Sequence, residues 1–148
     1  MTIETIERQL GRELPPAYKH FLGQFSENAV ISFRCDEEAL NRGNWTFVGA
    51  SGLQQALDVK RSPGLPWWQI LHRHWLDSAP RTAGHLSALD EQAVRMRVAV
   101  AYDEGDILYI DALNDFRAGV YLHDSNELID SGIDLEDIFS SMNIIYSA

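Results

Sequence analysis

Acidic side chains recur between three apolar runs in the segment AYDEGDILYIDALNDFRAGVYLHD, residues 101–124. Closely spaced carboxylates can hold a metal ion, exchange protons with a substrate, or attract a positively charged partner. Asp and Glu next to Gly and Asn also form ordinary turns. The chain has no EF-hand loop with the required D-x-[DN]-x-[DN]-G pattern and a Glu at position twelve. Turn formation and partner attraction are therefore favoured over calcium binding.

Histidine and cysteine form no recognisable catalytic or metal motif in this sequence. His72 and His74 are two residues apart, about 200° around a helix, so they cannot share a zinc ion there. Cys35 stands in FRCDEE, where the neighbouring acids raise the pKa of a thiol and oppose thiolate formation. We therefore expect no enzymatic activity, no metal and no cofactor. A pocket with two strongly perturbed titrating groups would overturn that expectation.

The net charge of −10 is unevenly distributed. Residues 1–100 contain eleven acidic residues and eleven Lys or Arg, whereas residues 101–148 contain eleven acidic residues and Arg117 alone. Such a field repels the phosphates of nucleic acids and anionic lipids, and it attracts basic proteins. We expect a basic protein partner, no nucleic acid and no membrane contact.

The length of 148 residues indicates a single domain, residues 1–148, with enough chain to bury a core. The lone Cys35 has no partner for a disulfide within the chain, and MTIETIERQLG is too charged for a secretory signal. No apolar run approaches the roughly 20 residues that span a bilayer. The sequence thus predicts a cytoplasmic protein.

Apolar spacing predicts helices and two short strands in the first half of the chain. Strands are expected at 29–33 and 45–48. Helices are expected after Thr2 as N-cap, in ELPPAYKHFLGQF, after a capping box from Ser51 to Gln54, and after Pro66.

From Arg97 the period changes to two, and RVAVAY, DILYID and GVYLHD predict three strands. A helix should follow from the N-cap Asp134 through Ile145. Together these elements predict an α+β fold, with a mixed, mainly antiparallel sheet of about five or six strands flanked by helices. If the three strands form a meander, two acidic clusters result. One contains Asp103, Glu104, Asp106 and Asp124, and the other contains Asp111 and Asp115.

Three tryptophans share one side of the helix predicted after Pro66: Trp67, Trp68 and Trp75. Tryptophans on an amphipathic helix usually pack into a core. Exposed tryptophans, in contrast, are common anchors of protein interfaces. The sequence leaves both roles open.

The order of LGRELPPAYKHFL, EGDILYID, GVYLHD and DLEDIFSSM resembles the SUKH superfamily of Smi/Knr-type domains, over about residues 3–142. The resemblance implies an α+β domain with a mainly antiparallel sheet between helices. It also implies a role, because bacterial members are mostly immunity proteins that neutralise a toxin, whereas fungal relatives act as regulators of cell-wall synthesis. An immunity protein for a basic toxin domain, plausibly a nuclease, is the expected function, and a scaffold or regulator is the alternative. The expected partner-binding residues are Asp103, Glu104, Asp106, Asp124, Glu127, Trp67, Trp68 and Trp75.

Overall fold

The computed structural model describes residues 2–57, 64–77 and 86–147 of the chain. The helices are α1 (Thr2–Leu10), α2 (Pro16–Gln24), α3 (Ala50–Leu53), α4 (Ile70–Asp77), α5 (Glu91–Arg95) and α6 (Leu135–Ser140), with 3-10 turns at Trp67–Gln69 and Leu86–Ala88. The strands are β1 (Ala29–Ser32), β2 (Trp45–Phe47), β3 (Arg97–Asp103), β4 (Asp106–Asp111), β5 (Arg117–Leu122), β6 (Glu127–Asp130) and β7 (Asn143–Ser147).

These strands form one sheet in the order β6-β5-β4-β3-β2-β1-β7. Strands β3 to β6 follow one another as a meander, and β7 returns to pair with β1. The α+β class is confirmed. Two details differ from the expectation, because the described residues form seven strands rather than five or six, and every pairing among them is antiparallel rather than mixed.

Helices cover both faces of the sheet, as the apolar character of both faces of β3 and β4 indicates. On one face, α1, α2 and α6 pack their apolar residues against Val98, Val100 and Val120. On the other face, α4 and α5 pack against Ile107 and Tyr109. The alternating apolar residues of the three central strands predict a core, and all of them are buried except Leu122, which is half-buried: Val98, Val100, Ile107, Tyr109, Val120 and Leu122.

Two of the three predicted N-caps, Thr2 and Ser51, do not form, whereas Asp134 stands at the N-cap position of α6 without a capping hydrogen bond from its side chain. Thr2 belongs to α1, and its hydroxyl donates to the Ala50 carbonyl at 3.2 Å. The Ser51 hydroxyl donates to the Ser26 carbonyl at 2.6 Å, and α3 begins one residue earlier and ends at Leu53. Both hydroxyls bond to a neighbouring segment, so a tertiary contact replaces the local one. The end of this predicted helix, from residue 58, lies outside the described residues.

The C-terminal helix is shorter than predicted. Helix α6 ends at Ser140, and Ile145 lies in β7 rather than in a helix. The residues of β7 pair with β1, at Ser32↔Asn143 and Ile31↔Ile144. Sheet pairing therefore overrides the helical spacing of Phe139, Met142 and Ile145. None of the described helices has both the length and the apolar character needed to cross a membrane.

Candidate functional site

The turn between β3 and β4 is a two-residue hairpin closed by the pair Asp103↔Asp106. Its central residues Glu104 and Gly105 both have positive φ, at 49° and 92°. This is the conformation that matches the right-handed twist of two hairpin strands. Asp106 is therefore fixed as the first residue of β4, facing the end of β5.

The two oxygens of the Asp106 carboxylate have different partners. Oδ1 accepts a hydrogen bond from the backbone N–H of His123 at 3.0 Å and lies 2.7 Å from His123 Nδ1. Oδ2 lies 2.9 Å from the Arg42 guanidinium. The carboxylate thus joins the β3–β4 turn to the end of β5 and to the loop before β2.

The pKa values of Asp106 and His123 are shifted in opposite directions. Burial opposes ionisation of Asp106, but hydrogen bonds from His123 and Arg42 outweigh it and lower the pKa of the carboxyl group. The hydrogen bond to Asp106 raises the pKa of His123, and the charge of Asp124 adds to the effect. Both shifts favour an ion pair between Asp106 and a protonated imidazole.

Gly105 provides the space in which the imidazole of His123 rests. A Cβ atom on Gly105 would lie 2.8 Å from His123 Cε1, which is closer than real Cβ contacts allow. The other ring nitrogen, Nε2, lies 3.1 Å from Asp124 Oδ1. His123 is therefore held between two carboxylates and above a glycine.

Arg42 provides a second positive charge at this end of the sheet. Its guanidinium lies 3.3 Å from Asp103 as well as 2.9 Å from Asp106, and it stacks 4.6 Å from the ring centroid of Trp45. Trp45 is fully buried, which fixes the stacking surface. Asp103 and Asp106 are consequently compensated locally.

All five acids of the expected partner-binding set lie at this one end of the sheet. The register Leu122↔Glu127 places the start of β6 and the 123–126 turn beside the β3–β4 hairpin. Glu104, Asp124 and Glu127 are exposed. We call the group Asp103, Glu104, Asp106, Asp124 and Glu127 the acidic end.

The three tryptophans have different environments. Trp68 is fully buried in the core and offers no surface to a partner. Trp75 is half-buried, and its indole N–H donates to the Leu89 carbonyl at 2.8 Å. Trp67 is half-buried and packs edge-on against the exposed Tyr102, with ring centroids 6.1 Å apart. Of the three, Trp67 is the one at the edge of a cavity.

This cavity has a volume of about 410 Å³ and lies beside the acidic end. Trp67, Ile70 and Ile107 contribute apolar surface, and Arg73, His74 and His123 contribute polar atoms. The sequence pointed to Trp67 as a candidate residue but could not predict the cavity. The cavity forms where α4 meets the β3–β4 hairpin, and these segments are distant in sequence. Only the strand register brings residues 67–74 close to residues 102–107 and 123.

His74 has the most strongly shifted pKa in the cavity. Burial, together with the nearby Arg73 charge, lowers it to about 4, so the imidazole is neutral at pH 7. The ring packs against Tyr121 with centroids 5.1 Å apart. The pKa of His123, in contrast, is raised by its hydrogen bond to Asp106.

The opposite end of the sheet contains a buried polar cluster, in which Arg97, Tyr109 and Asp111 are buried and Asp130 is exposed. Arg97 lies 3.5 Å from Asp111 and 3.6 Å from Asp130, and Tyr109 donates its hydroxyl to Asp130 at 2.6 Å. Gly119 lies under that hydroxyl. As the meander predicts, Asp111 lies at this end, but it is buried and pairs across the strand with Arg97. This cluster is a structural feature that joins β3, β4 and β6.

Residues of the types that bind metals do not converge in this structure. Within the ranges described above, no group of three His, Cys, Asp or Glu side chains is arranged to hold a metal ion. The Cys35 thiol is half-buried and lies 3.6 Å from the Glu37 carbonyl. Its pKa is raised mainly by burial and further by the charges of the neighbouring acids. The acidic end and the adjoining cavity are therefore the candidate site.

No family model matches the chain, and comparisons with curated proteins and with solved structures also give no match.

Proposed function

We propose that this chain is a non-catalytic binding protein whose acidic end docks a basic protein domain. The observation that carries the proposal is the position of the charge. The entire net charge of −10 belongs to residues 101–148, and two separate turns of that region bring five acids to one end of the sheet. Three of them, Glu104, Asp124 and Glu127, are exposed, so they can meet a partner directly.

The surface beside these acids has the composition of an interface centre. Tyr102 is exposed, and it packs against Trp67 at the edge of the cavity. Aromatic residues surrounded by a polar rim are typical of the residues that dominate binding energy. In this arrangement the acids accelerate and orient the encounter, and the aromatic pair slows dissociation.

We infer that the basic domain is a toxin, which the chain neutralises in the cytoplasm. The inference rests on the resemblance of LGRELPPAYKHFL, EGDILYID and DLEDIFSSM to the SUKH superfamily, whose bacterial members are mostly immunity proteins. A nuclease fits the charge, because an enzyme that holds phosphates has a positive groove. An acidic surface can cover such a groove or bind beside it.

The test compares two variants that change the net charge equally. Glu104→Gln, Asp124→Asn and Glu127→Gln neutralise the three exposed acids of the acidic end, and they leave Asp103 and Asp106 paired with Arg42. The control variant, Asp115→Asn, Glu136→Gln and Asp137→Asn, neutralises three exposed acids elsewhere. An immunity protein is expected beside its toxin, so the product of the neighbouring gene is the partner to test. Its association is measured at about 50 and 200 mM salt, between which screening differs strongly.

Neutralising the acidic end should slow association about tenfold at the lower salt concentration and flatten its salt dependence. The control variant should change both quantities much less. Equal losses in the two variants would show that net charge acts without a defined surface. Unchanged association in the first variant would assign the acids to turn formation. Recovery of several unrelated metabolic enzymes in place of one tight complex would instead favour a scaffold.

A further inference from the structure

The cavity beside the acidic end has one side that is apolar. Trp67 and Tyr102 form the aromatic part, and Val48, Ile70 and Ile107 extend it. Ile70 and Ile107 are nearly or fully buried, so this surface is part of the packed fold. A volume of about 410 Å³ lies within the range of cavities that bind small organic ligands.

Arg73 places a positive charge in this cavity. The side chain is half-buried, and no described residue forms a hydrogen bond or ion pair with it. Arginines that approach the interior usually have a carboxylate or another acceptor as partner. A half-buried guanidinium without one, beside an apolar surface, is the arrangement that receives an anion from a ligand.

Among the residues that the structure describes, the charged groups in contact with His123 are already paired. Asp106 lies against Arg42 and His123, and Asp124 lies 3.1 Å from the Nε2 atom of His123. The next residue of α4, His74, is held neutral by burial and by Arg73. Of the described residues that line the cavity, Arg73 is thus the cation that is available to a ligand.

We propose that this cavity binds a small carboxylate with a flat, apolar body. Arg73 receives the carboxylate through two parallel hydrogen bonds, and the body packs on Trp67 and Tyr102. The net charge of −10 opposes anions at long range. Affinity must therefore come from direct contact with Arg73 and from burial of the apolar body. This site shares Trp67 and Tyr102 with the proposed docking surface. It differs from that surface because its charge contact is Arg73 rather than Glu104 and Asp124.

The test uses indole-3-acetate and its neutral analogue indole-3-acetamide as probes. The two have nearly the same shape and differ in the charge that Arg73 would contact. Affinities are measured by calorimetry, and the indole N–H resonance of Trp67 reports by NMR whether the probe occupies the cavity. Hexanoate, which has the carboxylate without the ring, measures the contribution of a flat body.

Indole-3-acetate should bind about tenfold or more tightly than the amide, which is the scale of a charge-assisted hydrogen bond. Arg73→Gln should remove this preference, and Arg73→Lys should restore part of it, since it keeps the charge without the planar fork. Arg95→Gln, an exposed arginine of α5, is the matched control and should bind as the native chain does. Trp67→Leu should weaken the binding of both indole probes, and the preference for indole-3-acetate over indole-3-acetamide should remain.

Equal affinities for acid and amide would overturn the proposal, as would an Arg73→Gln variant that keeps the preference. Absence of binding at about 10 mM, ten times a 1 mM dissociation constant, would also overturn it. A variant that binds poorly is checked for its fold by circular dichroism and thermal unfolding. Failure of this site would leave the docking of a basic domain at Glu104 and Asp124 unaffected, because those acids are tested separately.

Discussion

His123 and Asp106 form a double contact, in which one carboxylate oxygen of Asp106 accepts the backbone N–H of His123 and lies 2.7 Å from its ring nitrogen. The contact joins the β3–β4 turn to the end of β5. It also fixes the edge of the cavity that lies beside the acidic end. Loss of this contact should therefore alter both local stability and the shape of the candidate site.

Replacement of Gly105 by Ala should destabilise the chain by more than the positive φ alone requires. The left-handed conformation costs a non-glycine residue about 1–2 kcal/mol, and the new Cβ would also displace His123. Gly11→Ala is the matched control, because Gly11 also has a positive φ, +69°, but a Cβ added there would meet no atom within 4 Å. Urea unfolding of both variants measures the difference. Equal losses of unfolding free energy in Gly105→Ala and Gly11→Ala would show that His123 can move away from the new Cβ at no cost in stability.

The His123–Asp106 contact should make stability depend on pH. Asp106 raises the pKa of His123 above its ordinary value of 6.5. Because the folded state binds the proton more tightly, the stabilisation is present below about pH 6.5 and is lost as pH rises through the folded pKa. His123→Gln should thus cost more stability at about pH 5.5 than at about pH 8.5. His20→Gln, on the exposed side of α2, provides the control, and equal losses at both pH values would contradict the linkage.

His74 should have the opposite dependence. Burial lowers its pKa from 6.5 to about 4, so the folded state disfavours the proton. Its contribution is complete above pH 6.5 and is lost as pH falls towards 4. Between those values the native chain should lose more stability than His74→Gln does. Parallel stability curves for the two proteins would show that the imidazole is solvated.

Gly119 and Tyr109 should be energetically coupled. A Cβ at position 119 would lie 2.5 Å from Tyr109 Cζ and 2.9 Å from the Ile129 carbonyl, so Gly119→Ala should cost about 1–3 kcal/mol through overpacking. Tyr109→Phe removes the hydroxyl that approaches Gly119, at the expense of its hydrogen bond to Asp130. The double variant should therefore be less destabilised than the sum of the two single variants. Additive losses in a double-mutant cycle would place the strain at the ring carbon Cζ, which Phe retains, or at the Ile129 carbonyl.

Removal of Arg97 should be among the costliest single changes in the buried polar cluster. Arg97→Met leaves the buried Asp111 without its 3.5 Å ion pair, and a buried pair that loses one partner typically costs about 3–5 kcal/mol. Asp111→Asn in the same chain should recover part of the loss, because the remaining group is neutral. Chemical unfolding of the two single variants and the double variant measures this. A change near zero in Arg97→Met, comparable to that of the exposed Arg95→Gln, would contradict the prediction.

Local sequence patterns were sufficient to predict a helix or strand where its residue periodicity alone identifies it. The proline-started helix α2 has Tyr18, Phe21 and Leu22 on its buried side, as their spacing predicts. The period of two after Arg97 predicted β3, β4 and β5, and the meander placed Asp103, Asp106 and Asp124 together. These results follow from residue periodicity, which depends on backbone geometry more than on distant contacts.

Local patterns failed where a distant segment provides a stronger partner. The sequence around Ile145 has helical spacing, but pairing with β1 makes it the edge strand β7. The Ser51 hydroxyl could have capped a helix, but it bonds to the Ser26 carbonyl. In both cases a hydrogen bond across the fold replaces one within the element, and local spacing contains no information about it.

The sequence by itself determined the α+β class, the three central strands and the concentration of charge after residue 100. The tertiary structure decided which of those charges are compensated, because Arg42 approaches Asp103 and Asp106 from 61 or more residues earlier in the chain. It also separated Trp68, which is in the core, from Trp67, which borders the cavity. The physical reason is that ion pairs and cavities depend on side-chain positions to within a few ångströms, and those positions are set by strand register and helix packing rather than by sequence spacing.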